Sequence, residues 1–258
     1  MDILREIIES HTGKVVDKWD SYTNSYVRHL GNKRHEIRNL LEIGVQNGGS
    51  LEVWNKYFPN AESIIGVDIN IDCIKLKFSC EKIEVIVNDA TKLDNSLFSG
   101  KKFDLIIDDG SHISSDIISS FLNLMTQTTD EAIYVIEDLC CSYWQEFEGG
   151  VNHPSSAITF FKKLIDIINI EHWRNKKSVT WLLAQFKGNI CEKRIKKLLS
   201  IQSITFENSM LFIIFGKQYS TIGVRKVFGD IDSVAKKQLN NSTISSVGNQ
   251  QVTNIYSL

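Results

Sequence analysis

The chain has 258 residues, 42% hydrophobic and 23% charged, with a formal net charge of −2; this supports one α/β domain with additions, or at most two small domains, and gives no support for a nucleic-acid partner. Five cysteines without a C-x-x-C pair argue against a zinc site or disulfide framework and fit a reducing compartment. No apolar run is long enough to span a membrane and Met1–Lys14 lacks a basic stretch ahead of an apolar core, so a soluble, cytoplasmic protein is expected.

Helical spacing is predicted over Asp2–Ser10 and Asp17–Leu30. The second helix carries Trp19, Tyr22 and Tyr26 on a roughly common face, either as a lid over a ligand pocket or as plain packing. Arg38–Ile43 reads as a strand, followed by a glycine-rich turn and a helix over Ser50–Tyr57. Strands follow at Ser63–Val67, Ile83–Val87, Phe103–Ile107 and Ala132–Ile136, with helices near Ile71–Phe78 and Ser114–Thr126. Such alternation predicts βαβ units and a parallel sheet. Beyond it, Ser155–Ile168 and the basic Glu192–Leu199 read as helices, with Lys193–Lys197 as a solvated face. Ser203–Glu207 and Met210–Gly216 read as a hairpin turning at Asn208. Leu239–Leu258 is almost free of core residues and is expected to be mobile or partner-dependent.

The residues that carry chemistry fall where strands end. Leu41–Ser50, LEIGVQNGGS, follows a strand and opens a helix, the setting in which glycines bring backbone N–H groups against a ligand. Its Gly44-x-x-x-Gly48-Gly49 spacing departs from the dinucleotide pattern G-x-G-x-x-G and from the Walker loop. Glu42, just before the loop, suits a cationic or hydroxyl-bearing ligand. Asp68 ends the second strand, where an acid commonly holds ribose hydroxyls. Asp89 ends the third and can accept from an adenine amino group. With Gly44, Gly48 and Ser50, these acids describe a nucleoside that needs no phosphate contacts, which S-adenosylmethionine fits. Asp108, Asp109, Glu137 and Asp138 end the next two strands. Four acids on one rim repel each other unless a cation joins them, which points to a divalent metal. Asp108 is open between metal ligation, capping the following helix and positioning the donor. His11, His29, His35, His153 and His172 are scattered and read as surface or packing residues.

LLEIGVQNGGSLEVW, YFPNA, IIGVDI, FDLIIDDGSH, YVIEDL and SYW, in that order over roughly Leu40–Trp144, resemble the class I methyltransferases. Within these they are similar to the metal-dependent sugar O-methyltransferases of the macrocin and mycinamicin type, and to the related cephalosporin-hydroxylase family. The resemblance implies a Rossmann-like α/β fold with a seven-stranded, mostly parallel sheet in the order 3-2-1-4-5-7-6, the last strand antiparallel, plus N-terminal helices. The expected layout is a helical lid over 1–34, the methyltransferase domain over 35–217 and a C-terminal extension over 218–258. The resemblance also implies Mg²⁺ held by Asp109, Glu137 and Asp138, with His112 as candidate general base beside Asp109.

Two departures stand out: Asp130-Glu131-Ala132 where the family often has a glycine pair, and Cys140-Cys141 where it usually has His-Thr. The second lies near the expected acceptor pocket and leaves the acceptor open. Tyr143 and Trp144 follow the metal acids, and aromatic faces suit sugar rings. The expected function is Mg²⁺-assisted transfer of a methyl group from S-adenosylmethionine to a sugar hydroxyl of a natural product or surface glycan. The alternatives are a non-catalytic donor-binding partner protein and a hydroxylase-associated member of the same family; against the latter, the chain shows no His-x-Asp…His facial triad. A small-molecule or glycan substrate is expected, with neither nucleic acid nor a membrane span, and self-association is left open by the two flanking segments.

Overall fold

The computed structural model describes residues 3–174, 177–186, 190–226 and 228. Its strands are β1 (Asn39–Ile43), β2 (Ser63–Asp68), β3 (Ile83–Val87), β4 (Phe103–Asp108), β5 (Thr128–Ile136), β6 (Ile201–Phe206) and β7 (Leu211–Phe215). They form one sheet in the order β3-β2-β1-β4-β5-β7-β6, as the resemblance implied. β3, β2, β1, β4 and β5 run parallel, and β7 is antiparallel to both its neighbours.

The central strands are apolar on both faces because helices cover both. One face, with Leu40, Leu105, Ile107, Ile133 and Val135, packs against α1 (Ile3–Glu9), α2 (Asp20–Leu30) and α3 (Gly49–Tyr57). The other, with Leu41, Ile43, Ile106, Tyr134 and Ile136, packs against α4 (Ser114–Leu124), α5 (Ala157–Ile168), the short α6 (Val179–Leu183) and α7 (Glu192–Leu199). The N-terminal helices share the first of these cores: Leu4, Tyr22, Tyr26 and Leu30 are buried with Trp54, Tyr57 and Phe212, and the Tyr26 and Trp54 rings lie 4.9 Å apart. Glu207, in the β6–β7 turn, ties α2 down. It accepts from Ser25 Oγ and from Arg28 at 2.5 Å, and lies 2.7 Å from His29 Nε2.

Some elements differ from expectation. α2 begins at Asp20, not Asp17; Trp19 is extended (φ −61°, ψ 142°), and residues 15–19 form a non-helical strap. Tertiary contacts of Lys18 and Trp19, described below, override helical spacing there. The helix expected near Ile71–Phe78 is a five-residue 3-10 turn, Ile71–Lys75, opened by Asn70, whose side chain accepts from Asp72 N. α4 ends in a 3-10 turn, Met125–Gln127, and β5 starts at Thr128 instead of Ala132. Helix α6 had no counterpart in the sequence reading. Lys197, expected on a solvated face, is half-buried: its Nζ donates to Thr129 O at 2.8 Å and sits 4.3 Å from the Phe215 ring centroid. The expectation of mobility for Leu239–Leu258 lies outside the described residues.

Two outcomes follow from this packing. Phe121 is fully buried, with its ring 5.1 Å from Tyr134 and 5.2 Å from Phe161. Phe121→Ala is expected to lower stability by about 3–5 kcal/mol in denaturant unfolding. For Glu207, burial alone would raise the carboxyl pKa, but hydrogen bonds from Ser25, His29 and Arg28 bring it down to about 2. A depressed folded-state pKa contributes stability that is present above the ordinary value of 4.5 and is lost as pH falls from there toward 2. Glu207→Gln should be less stable at pH 7 and lose less than the parent chain between pH 5 and 3, read as denaturant midpoints across that range.

Candidate active site

Strand register builds the rim. β1 and β4 pair Ile43 with Asp108, and β4 and β5 pair Asp108 with Ile136. The next step along each strand gives Gly44, Asp109 and Glu137 in a row, held by Gly44 N→Val67 O, Asp109 N→Ile43 O and Glu137 N→Asp108 O, each 2.9 Å. Backbones crowd here. Gly44 has φ +88°, and a Cβ on it would stand 2.0 Å from Asp109 O, so only glycine fits. Side-chain alternation then sorts the acids. Glu137 and Asp109 turn toward the α2 face, while Asp108 lies on the side of the cleft lined by α4 residues Asp116, Ile117 and Ser120. His112 and Asp138, just past their strands, are both left-handed (φ 57° and 49°). Such backbone costs on the order of 1–3 kcal/mol per residue and is retained where the surroundings fix it.

A cation already sits among these acids. Lys18, its side chain 6% exposed, donates from Nζ to Asp109 Oδ2 at 2.6 Å and to both Glu137 oxygens at 2.9 Å, and Nζ lies 4.0 Å from Glu42 Oε1. Burial would lower its pKa, but the charges of Glu137, Asp109 and Glu42 outweigh burial and hold it well above the ordinary lysine value. Burial raises the pKa of both Glu137 and Glu42, and the Lys18 charge opposes it. Asp138 is engaged separately: Tyr22 OH donates to Oδ1 at 2.6 Å and Trp19 Nε1 at 3.0 Å. Tyr26 OH donates to Glu137 Oε1 at 2.5 Å. One ligand atom each of Asp109, His112 and Asp138 lies within 4.8 Å of the others, and His112 Nε2 is 3.8 Å from Asp138 Oδ2. That group omits Glu137, whose oxygens meet Asp109 through Lys18 Nζ; the carboxylate oxygens of Asp109 and Asp138 are donors of the kind a hard divalent ion requires, and in that chemistry the site fits Mg²⁺.

Two clefts meet at the glycine loop. The larger, about 520 Å³, is lined by the strap residues Val15–Trp19 together with Gly44, Ser50, Asp68, Asp109, His112, Glu137 and Asp138. The smaller, about 220 Å³, lies beyond Asp68 and is bounded by Asn88, Asp89, Thr91, Asp108 and Ser120. Asp68 faces both and holds the loop, accepting from Val45 N at 2.8 Å, Gln46 N at 3.1 Å and Asn70 N at 2.8 Å. Burial works against ionisation of Asp68, but these backbone donors keep its pKa low. Asp108 is buried with Oδ2 lacking a hydrogen-bond partner, and burial pushes its carboxyl up to about 7. Asp89 spends one oxygen on Thr91 N and Oγ1 and the other on Lys92.

The structure thus gathers Asp68, Asp89, Asp108, Asp109, His112, Glu137 and Asp138 around two joined clefts. Glu42 and Gly48 stand behind the loop and line neither cleft. Glu42 is fully buried and accepts from Ser50 Oγ at 2.7 Å and Trp54 Nε1 at 3.0 Å, fixing the start of α3. Tyr143 and Trp144 are exposed and line neither cleft; Phe147, between Trp144 (5.9 Å) and His112 (6.5 Å), is the aromatic nearer the acids.

Lys18 was missed altogether, since Asp17-Lys18 reads as ordinary helix surface. The packing of its strap is the available signal, and only tertiary structure shows it. Val15 O lies where a Gly49 Cβ would come within 2.1 Å, and Lys14 is tied to Glu52 through its N at 2.9 Å and Nζ at 2.6 Å. Gly49→Ala should therefore push the strap off the loop, and limited trypsin digestion should cleave after Lys14 or Lys18 faster than in the parent chain while the sheet resists.

No family model matches the chain. Among curated proteins it is 35% identical over 162 residues to mycinamicin VI 2''-O-methyltransferase of Micromonospora griseorubida, covering 57% of this chain and 39% of that protein. It is 32% identical over 163 residues to 8-demethyl-8-alpha-L-rhamnosyl tetracenomycin-C 2'-O-methyltransferase of Streptomyces olivaceus, covering 58% of this chain and 42% of that protein. The matched segment thus spans about two fifths of the length of these relatives. Among solved structures, the methyltransferase MycE of the mycinamycin pathway, in complex with Mg and SAH, superposes with a TM-score of 0.64 at 24% identity, over 87% of this chain and 57% of that one. A second MycE structure, with Mg, SAH and mycinamycin VI, gives a TM-score of 0.63 over the same shares of both chains. The chain has the class I methyltransferase fold, and the relatives it resembles in sequence are sugar O-methyltransferases.

Proposed function

We propose that this chain transfers the methyl group of S-adenosylmethionine to a hydroxyl of a sugar, assisted by Mg²⁺ at Asp109, Glu137 and Asp138. The observation that carries this reading is the carboxylate set at the sheet rim, in which Asp109 and Glu137 share a buried positive charge and Asp138 stands beside His112 at the larger of two joined clefts. The sugar O-methyltransferase relatives support the acceptor class, and the neighbour solved with Mg and SAH supports the cofactor pair. When bound, Mg²⁺ supplies a Lewis acid that lowers the pKa of a chelated hydroxyl.

The chain's own residues do the rest. The smaller cleft takes the adenine end of the donor, with Asn88, Asp89 and Asp108 at its wall, and Asp68 faces the ribose from between the clefts. Glu42, Gly44, Gly48 and Ser50 set the loop against which the methionine part rests. His112, presented by its left-handed backbone at the mouth beside Asp138, accepts the acceptor hydroxyl proton at Nε2. Trp19 and Tyr22 exclude water from the acid rim, so the N-terminal helices act as a lid on the domain formed by residues 35–217. Tyr143, Trp144 and Phe147 form an apolar shelf outside the mouth for the sugar and its aglycone.

The test is methyl transfer from labelled S-adenosylmethionine to a panel of vicinal-diol sugars and macrolide glycosides with Mg²⁺ present. Transfer to at least one glycoside, abolished by chelation, is expected. His112→Gln should lower kcat by about 10²–10⁴-fold, and Asp109→Asn and Glu137→Gln should abolish turnover, all three leaving donor affinity nearly unchanged. Donor binding without transfer to any glycoside would contradict the proposal.

A further inference from the structure

The strap that carries Lys18 satisfies the metal acids with its own donors. Lys18 gives Asp109 and Glu137 three charge-assisted hydrogen bonds, and Trp19 and Tyr22 occupy Asp138 Oδ1. Every acid assigned to the cation is therefore partnered by residues 18–22. The contacts of Lys18 and Trp19 come from a segment anchored independently, through Lys14 to Glu52 and His11 Nε2 to Lys14 O at 2.9 Å. An ammonium and a hard divalent ion seek the same oxygens, and two cations within a few ångströms in a buried site repel strongly.

We propose that Lys18 holds the place of the divalent cation in the metal-free chain, and that metal loading drives its ammonium out of the carboxylate set while the anchored strap keeps its place. This rests on the metal reading of the proposed function and adds a residue toward that site. In the metal-free chain the ammonium offsets part of the rim's negative charge, and in the loaded chain the cation takes over that role.

The probe is Mn²⁺ with the full chain and no donor. Mn²⁺ affinity, read from the free Mn²⁺ electron paramagnetic resonance signal, should be roughly tenfold or more tighter in Lys18→Met than in the parent chain, because the competing charge is gone. A second readout needs no variant. Amine acylation mapped by peptide mass spectrometry should find Lys18 protected without Mn²⁺ and labelled at saturating Mn²⁺, while the exposed Lys162 is labelled equally in both. Should Lys18→Met fail to fold, the labelling decides alone. Equal or weaker Mn²⁺ binding by Lys18→Met, or Lys18 still protected in the Mn²⁺-saturated parent chain, overturns the proposal. Failure of the parent chain to bind Mn²⁺ at all overturns the metal reading as well, whereas Mn²⁺ binding indifferent to Lys18 overturns this inference alone.

Discussion

A single buried ammonium organises the mouth of this protein. Glu42 and Glu137 are almost wholly removed from water, and Asp109 and Asp138 stand beside them. Carboxylates in such a place either take up protons or find a positive partner. Lys18 is that partner in this structure, reaching in from a segment distant in sequence. Removing one side of such a pair leaves an uncompensated buried charge, on the order of 3–5 kcal/mol. These acids fasten the strap, and its ammonium opposes the rise in pKa that burial imposes on Glu137 and Glu42.

The acids themselves are placed by the sheet. Parallel pairing aligns the ends of β1, β4 and β5, and the period-two alternation of side chains sends Asp109 and Glu137 to one face and Asp108 to the other. Neighbouring acids of one tetrapeptide, IIDD, thereby come to serve different clefts. The close approach of Gly44 to Asp109 O and the left-handed backbones of His112 and Asp138 are local departures from ease that the flanking strands hold in place.

Much of this was legible in the sequence because it is local. Strand ends followed by acids, and a glycine loop between strand and helix, are written in runs of a few residues, so Asp68, Asp109, Glu137 and Asp138 could be located on the rim, as could the sheet order through resemblance. What escaped depends on contacts between distant segments. Asp17–Trp19 has helical spacing but lies outside the helix, where Lys18 and Trp19 reach Glu137, Asp109 and Asp138. Glu42 looked like a ligand-facing acid, yet Ser50 and Trp54 claim it for the start of α3. Lys197 looked solvated until β5 and Phe215 were set beside it. Sequence periodicity reports which face of a segment is apolar, not which distant partner meets a given polar atom.

The sheet, two covering helical layers and a carboxylate rim are all present among the described residues. The central claim is that Asp109, Glu137 and Asp138 bind one hard cation beside the donor. Anomalous diffraction from crystals soaked with Mn²⁺ and S-adenosylhomocysteine tests it most directly. A single manganese peak within coordination distance of all three carboxylates, with the nucleoside in the smaller cleft, is expected; a peak elsewhere, or none, with Asp109 and Glu137 still joined through Lys18, would contradict that assignment.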